Sequence, residues 1–390
     1  MNDTISDRKP SLDFTPVRAS REESEAVTTP SLTYSQDVWR RFKKHKSAMA
    51  GSIVIILLIF TAVLGPIVSS HTYYEQELDY ANIPPLLEIY KISEDSYIYL
   101  HKHLKVIRVT PEGRLIERVK PLKDDFLKKT MLYEINGVEI IIDYNELPVV
   151  MHDTQGQQFE MTKKMNKSYL LGTDALGRDL LIRVIYGARI SLLIALIATL
   201  ANFIIGVIYG GISGFAGGRA DMIMMRIVDI ISAIPLTLYV ILIMVILGAG
   251  LQSIIIALSS VYWVGMARIV RGQVLALKEQ EFILAAKTIG VSTFRILLKH
   301  LLPNALGVIV ITATMLIPSA IFLEAFLSFI GLGVSAPMAS WGTLCSDSLE
   351  ALRSFPYQLF VPAMAICITM FAFNFLGDGL RDVLDPKLRK

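Results

Sequence analysis

One run that mixes carboxylates, cations and glycines is LGTDALGRDLLIRVIYGARISL, residues 171–192. There Asp174 and Asp179 alternate with Gly172, Gly177, Arg178 and Arg183. Glycines beside cations can cradle a phosphate, but the spacing Gly-x-x-x-x-Gly-Lys-Ser/Thr occurs nowhere in the 390 residues, so no nucleotide-binding loop of that kind is present. Two readings stay open for the run: a tight hydrogen-bonded turn entering an interfacial helix, and a gating or docking element. Six histidines stand at positions 45, 71, 101, 103, 152 and 300. His101 and His103 would share one face of a strand, which suits a metal, although an exposed pair in a soluble segment is the commoner outcome. Two carboxylates, Asp229 and Glu324, adjoin long apolar runs. A central membrane carboxylate costs roughly 2.5–3.5 kcal/mol on insertion scales, so each needs a partner or a watery cavity. Asp229 reads as interfacial, paired with Arg226 three residues before it. Glu324 reads either as a residue lining a pathway or as a structural hydrogen-bonding group at a helix end. The two cysteines, Cys345 and Cys367, are too few for a disulfide framework, and Cys367 falls in an apolar helix as a small packing residue.

What must position these residues is a set of membrane helices. The chain is 53% hydrophobic with mean hydropathy +0.50. No Asp, Glu, Lys or Arg occurs in 47–74, 190–218, 230–267, 301–323 or 354–377. A spanning helix needs roughly 20 such residues. The window 230–267 is too long for one span, and GAGLQS at 248–253 supplies a turn within it. Six helices follow, over about 49–69, 190–211, 227–247, 253–271, 304–327 and 357–377. Helices satisfy their own backbone groups in lipid, so the fold class is an all-α polytopic membrane protein. Pro235 is expected to kink the third helix or loosen one of its hydrogen bonds. Gly206, Gly210 and Gly214 recur every four residues, which permits close helix approach, while Gly217 and Gly218 mark a turn.

Charge distribution orients the chain. WRRFKKHK at 39–46, the segments near 212–226 and 272–303, and the tail after 377 hold most of the lysines and arginines of the membrane part, whereas the short loops opposite hold only Arg353. The positive-inside rule then places both termini in the cytoplasm. Residues 1–46 are a polar tail with a basic leader and no apolar period before 39, residues 47–71 the first helix, 169–186 a turn and interfacial segment, 187–378 the membrane core, and 379–390 a second tail. Residues 72–168 form an extracytoplasmic insert of different character, charged and β-rich. MLYEI-Asn136-Gly137-VEIII is a strong hairpin signal, because Asn-Gly accepts the positive φ angles of a tight turn, and IRVT-PEG-RLIERV reads as a second hairpin. The insert shields a pore mouth, contacts an external partner or touches substrate; the residues do not choose. Trp341 and Tyr357, in and after the last outer loop, suit a membrane interface.

The longest cytoplasmic loop, 272–303, contains EFILAAKTIGVSTFRILLKHLLP. It reads as two short helices. Ala285 and Ala286 make a small-residue patch that a partner can approach closely, Gly290 is the turn, Ser292 caps the second helix, and Pro303 enters the fifth membrane helix at its first turn. Ile296, Leu297, Leu301 and Leu302 supply its buried side.

Glu281, Ala285, Ala286 and Gly290, followed by Ile296, Leu302 and Pro303, resemble the coupling loop of integral permease subunits of bacterial ABC importers. The 171–192 run, GGRADMIMMRIVDIISAIP, LEAFLSFIGLG and FNFLGDGLRDVLDPKLRK resemble its oligopeptide/dipeptide branch, in particular the C-type subunit. The resemblance covers about 170–390, the basic leader and the first helix. It implies the type I importer permease fold, a bacterial inner-membrane location, and a non-catalytic subunit that couples to ATPases through Glu281, Ala285, Ala286, Gly290 and Pro303. Glu324 and Asp229 become candidate pathway or gating residues. ATP and Mg would be bound by partner subunits and no cofactor by this chain. The implied partners are a second permease subunit in a heterodimer, two cytoplasmic ABC ATPases, an extracytoplasmic peptide-binding protein and the bilayer, with no nucleic acid. Related importers of nickel, glutathione or antimicrobial peptides share these motifs. A self-sufficient secondary transporter would instead show inverted repeats or ionisable residues at mid-membrane, and neither is evident.

Overall fold

The structure, a computed structural model, describes residues 33–69, 71–94, 96–145 and 149–384. Much of the expected N-terminal tail, 1–32, and the end of the C-terminal tail, 385–390, lie outside those residues. The described residues begin with α1 (Tyr34–Lys44) and continue into α2 (Lys46–Val68). The polar character expected through residue 38 hides a helix, because Val38 and Phe42 lie one turn apart and pack with Leu380 and Val383 near the other end of the chain.

Nine strands follow: β1 (Leu86–Ser93), β2 (Ser96–Leu100), β3 (Val106–Val109), β4 (Leu115–Val119), β5 (Lys123–Asp125), β6 (Thr130–Ile135), β7 (Val138–Asp143), β8 (Val150–Asp153) and β9 (Glu160–Met165). They form two antiparallel sheets, ordered β4-β3-β2-β1-β9 and β5-β6-β7-β8. Both expected hairpins are present. Ile135 pairs with Val138 across Asn136 (φ 53°) and Gly137 (φ 80°), the two positive angles a two-residue turn demands. The other hairpin joins β3 to β4.

The remaining helices are α3 (Leu180–Ala216), α4 (Gly218–Ala233), α5 (Leu236–Leu247), α6 (Leu251–Val261), α7 (Trp263–Lys278), α8 (Glu281–Thr288), α9 (Thr293–Ile296), α10 (Leu302–Leu327), α11 (Trp341–Asp347) and α12 (Tyr357–Leu384). Among the described residues, five helical stretches are long and apolar enough to cross a membrane, and the bent pair α4–α5 is a sixth if counted as one span. Pro235 does more than kink that span: the two halves meet at 81°. With no N–H and a fixed φ, proline cannot continue a helical ladder. The turn expected at GAGLQS separates α5 from α6, with Gly248 at φ 84°.

α3 has 37 residues and so runs about 55 Å at 1.5 Å per residue, well beyond a hydrocarbon core of about 30 Å. Residues 180–186, expected to belong to a separate interfacial segment, are the first turns of this one helix. Asp179 caps it by accepting from the Leu181 N–H at 2.8 Å. α3 is the central post. Gly206, Gly210 and Gly214 face α7, where a Cβ on Gly210 would run into the Ala267 carbonyl oxygen. Ile194, Ala195 and Ala198 of α3 join Ile254, Ala257 and Leu258 of α6 and Ile321 and Leu327 of α10 in the main core.

The contacts define two ends of the bundle. At one end the β insert sits on the starts of α3 and α12. At the other, His45 Nε2 and Asp382 Oδ2 are 3.0 Å apart, so both ends of the described chain lie together, and Lys278 Nζ donates to the Phe215 carbonyl at 2.7 Å beside them along the α3–α7 pair. The second end carries α8.

Candidate functional site

At the α8 end, local sequence builds a short projecting helix. α8 closes with two hydrogen bonds that characterise a glycine-terminated helix: Gly290 N–H to Lys287 O at 3.0 Å and Val291 N–H to Ala286 O at 3.1 Å. Gly290 has φ 80°, the left-handed value that the turn requires. Ile283 and Ala286 point inward and pack with Val274, Ile296 and Leu301. This corrects the expected small-residue patch. Ala285 is exposed, but Ala286 is only 7% exposed and belongs to the core beneath it. Residues one position apart on a helix face different directions, so the pair cannot form one outward surface. The outward face holds Phe282, Leu284, Ala285 and Ile289, with Phe294 just beyond the turn. Glu281 is exposed in the first turn.

Beyond the turn the chain stays helical from Thr293 as far as Gly331, which breaks the helix at φ 85°. Ser292 occupies the N-cap position without a side-chain hydrogen bond. Pro303 stands in the first turn of α10, the position expected for it. A π turn at Leu297–Leu301 leads into α10, and this widened turn precedes the residue that lacks a donor.

The same end is laced by ion pairs that local sequence did not disclose. Arg271 donates Nε and an Nη to the two oxygens of Asp221 at 2.6 Å each, and Ser213 donates to Asp221 Oδ1 at 2.5 Å. Asp229 pairs with Arg268 at 3.0 Å, not with Arg226. Arg268 and Arg271 are three residues apart on α7, so two guanidinium groups strap α4 along α7. A pairing between helices distant in sequence outcompetes the neighbouring arginine because close packing of α3, α4 and α7 brings them together. Asp229 itself is exposed.

Glu324 is fully buried. The Ser191 hydroxyl donates to its Oε2 at 2.9 Å and the Ser328 hydroxyl to its Oε1 at 2.8 Å. Ser191 in turn accepts from the Trp341 N–H at 3.2 Å. Of the two readings, this geometry is the structural one: Glu324 ties α10 to α3 and to the start of α11. Trp341 is likewise not an interfacial belt residue. It is 1% exposed, with its indole N–H donating to the Val184 carbonyl at 2.9 Å. Cys367 is exposed on the helix surface rather than packed.

At the insert end, the 171–192 run is a knot. Asp174 Oδ1 accepts from the N–H groups of Leu176 (2.9 Å) and Arg178 (3.0 Å), while its Oδ2 accepts from Arg178 Nε (2.7 Å) and an Arg183 Nη (2.5 Å). The insert rests on this knot. Thr173 exchanges hydrogen bonds with Ile83, Tyr357 donates to the carbonyls of Ile83 and Thr173, and Gln358 donates to Asn82 Oδ1 at 2.8 Å. His101 is buried at the same seam. It stacks on Phe355 with centroids 5.7 Å apart, its Nε2 lies 3.1 Å from the Asn82 carbonyl, and its Nδ1 accepts from the His103 N–H at 3.2 Å. Burial pushes the imidazole down to about 4, so it is neutral at neutral pH. Both ring nitrogens are engaged, which leaves neither to a metal. Among the described residues, no cluster of three His, Cys, Asp or Glu side chains is placed to hold one.

Sequence comparison supplies the relationship. Residues 204–390 match the family model for the binding-protein-dependent transport system inner membrane component, and residues 33–85 match the N-terminal transmembrane domain of oligopeptide transport permease C. The chain is 42% identical over 369 residues to the dipeptide transport system permease protein DppC of Bacillus subtilis (strain 168), covering 94% of this chain and 90% of that protein. It is 42% identical over 377 residues to the oligopeptide transport system permease protein OppC of the same organism, covering 97% of each. A solved structure of the MetNI methionine ABC transporter in an inward-facing conformation overlaps 53% of this chain and 96% of its own, at 22% identity and a TM-score of 0.42. With the sequence relationship extending over nearly the whole length, the chain belongs to the family of binding-protein-dependent transport system inner membrane components, in its oligopeptide permease C branch.

Proposed function

We propose that this chain is one of two membrane-spanning halves of an ATP-driven importer of oligopeptides or dipeptides. The other half is a second, different permease chain. Two ABC ATPase subunits bind at the α8 end and an extracytoplasmic peptide-binding protein at the insert end. The α8 end is cytoplasmic in this reading. Arg40, Arg41, Lys43, Lys44 and Lys46 lie there, as do Arg219, Lys287, Arg295 and Lys299. Catalysis belongs to the ATPases, which bind ATP and Mg, and this chain contributes no cofactor site.

The observation that carries the proposal is α8. Its inner residues anchor it to α7 and to the start of α10, and its outer face presents apolar side chains that this chain leaves uncovered. Such a helix transmits displacement as a rigid body. Pulled by an ATPase, α8 moves the lower part of α7 through Val274 and Leu277, and the two arginine straps take α4 with it. The helical stretch that begins at Thr293 and continues through α10 extends the same motion across the membrane. Asp229 enters as a strap residue and Glu324 as a brace that keeps α10 and α3 moving together.

Reconstitution tests this reading. Liposomes carrying the chain, its partner permease, the ATPases and the binding protein are expected to accumulate radiolabelled trialanine only when ATP is present on the ATPase side. Uptake by this chain alone, or uptake indifferent to ATP, would contradict it.

A further inference from the structure

The arginine knot at the insert end opens on a cavity of about 540 Å³ between the start of α3 and the segment around α11. Arg178 and Arg183 line one wall, with side chains only 11% and 3% exposed. Asp174 is held tightly by both and balances one of their two charges. The second charge is balanced by Asp347 across the cavity, and much more loosely. Asp347 stands 3.9 Å from an Arg178 Nη and 3.5 Å from an Arg183 Nη, longer than the 2.7–2.9 Å of a charge-assisted hydrogen bond. Its side chain is 54% exposed. It is also the last residue of α11, where the helix dipole disfavours a negative charge. The cluster is rich in donors: Arg183 Nε is buried without an acceptor. Two guanidinium groups thus meet a carboxylate that is poorly held and solvent-accessible.

We propose that Arg178 and Arg183 form a receiving site for the terminal carboxylate of an incoming peptide, and that Asp347 is the resident carboxylate it displaces. The proposal rests on the peptide-import reading. A small ligand fits better than a protein surface, because the guanidinium groups lie recessed in a cavity of limited volume. Glu350 lines the same cavity, exposed and without an ion-pair partner among the described residues. It weighs against a multiply anionic ligand and favours a zwitterion carrying a single carboxylate. Displacement of Asp347 releases the C-terminal end of α11 from the start of α3, while Trp341 keeps its N-terminal end bound to Val184 and Ser191, so arrival of a peptide would loosen only this edge of the bundle.

A purely structural latch and a displaceable site make opposite demands on the two sides of the pair. The test uses the reconstituted full transporter with its binding protein saturated with trialanine. Arg178→Gln is expected to lower the maximal uptake rate about tenfold, the loss of a hydrogen-bonded charge contact. Asp347→Asn, which removes the competitor, is expected to raise the maximal uptake rate, and a rate that falls below wild type would contradict displacement. If both variants fall together, the pair is a structural latch and the proposal fails. Arg178→Lys and Asp347→Ala guard against a misfolded variant: lysine should restore part of the rate, and alanine should behave as asparagine. Weaker attachment of the binding protein to the Arg178→Gln complex, in proportion to the lost rate, would assign the arginines to that protein and overturn the proposal. A wild-type complex that takes up no trialanine would contradict the peptide reading instead.

Discussion

Gly290→Leu is expected to abolish ATP-driven uptake while the protein still folds and inserts. The glycine closes α8 at φ 80°, and a side chain there meets no atom within 4 Å, so crowding is not the problem. Conformation is. An L-residue in the left-handed region costs roughly 1–2 kcal/mol, which is small against the stability of a membrane bundle. It is large against the two hydrogen bonds that set the exit of α8, each worth about 1 kcal/mol. The helix end would unwind or turn differently, and Phe282, Ala285 and Ile289 would no longer face one direction. Uptake is expected to fall at least tenfold, since about 1.4 kcal/mol of misplacement already gives that factor. Gly290→Asn tolerates the left-handed region and should retain most activity. Normal uptake by the leucine variant would contradict the role given to this turn.

Gly210→Ala is expected to have a still larger effect, on folding rather than coupling. Its Cβ would collide with the Ala267 carbonyl, a backbone atom that cannot rotate away. Relief requires α3 and α7 to separate, which also loosens Gly206 against Met266 and Gly214 against Val274. Overpacking of this kind costs typically 1–3 kcal/mol, and here it falls on the most heavily packed helix pair, at the root of α8. The amount of detergent-stable protein should drop several-fold. Gly211→Ala, one residue away, is the control. Its Cβ would meet Leu297 Cδ1 at 3.6 Å, an ordinary contact, so that variant should match the wild type. Equal yields from the two would contradict the close α3–α7 approach.

These two glycines were both visible in the sequence, and for the same reason. Positive φ and four-residue spacing are local properties, as is the Asn136-Gly137 turn. Charge-free windows gave the spans on similarly local grounds. What was not legible depends on the third dimension. α3 begins ten residues earlier than its charge-free window: Asp179 caps it there, and Arg183 in its first turns is held by Asp174, a pairing that composition does not display. α1 was hidden by its polar residues, although Val38 and Phe42 already had helical spacing. Asp229 found Arg268 rather than Arg226 because helix packing, not sequence proximity, decided its partner. Ala286 faces inward although its sequence neighbour Ala285 is exposed, because adjacent residues do not share a helix face. Of the residues proposed for the α8 surface, Glu281, Ala285 and Gly290 stand out by motif alone, whereas Phe282, Ile289 and Phe294 are marked by their exposure in the fold.

The central claim is that α8 is the seat of an ATPase. Site-directed cross-linking addresses it most directly. In a chain with Cys345 and Cys367 replaced by serine, cysteine is introduced by Ala285→Cys on the exposed face and, separately, by Ala286→Cys on the buried one. With a short bifunctional thiol reagent and a full complex carrying a cysteine in the ATPase groove, position 285 should yield a permease–ATPase adduct whose amount changes with ATP, and position 286 should yield little. Failure of position 285 to cross-link in a complex that transports, or equal capture at both positions, would contradict the account.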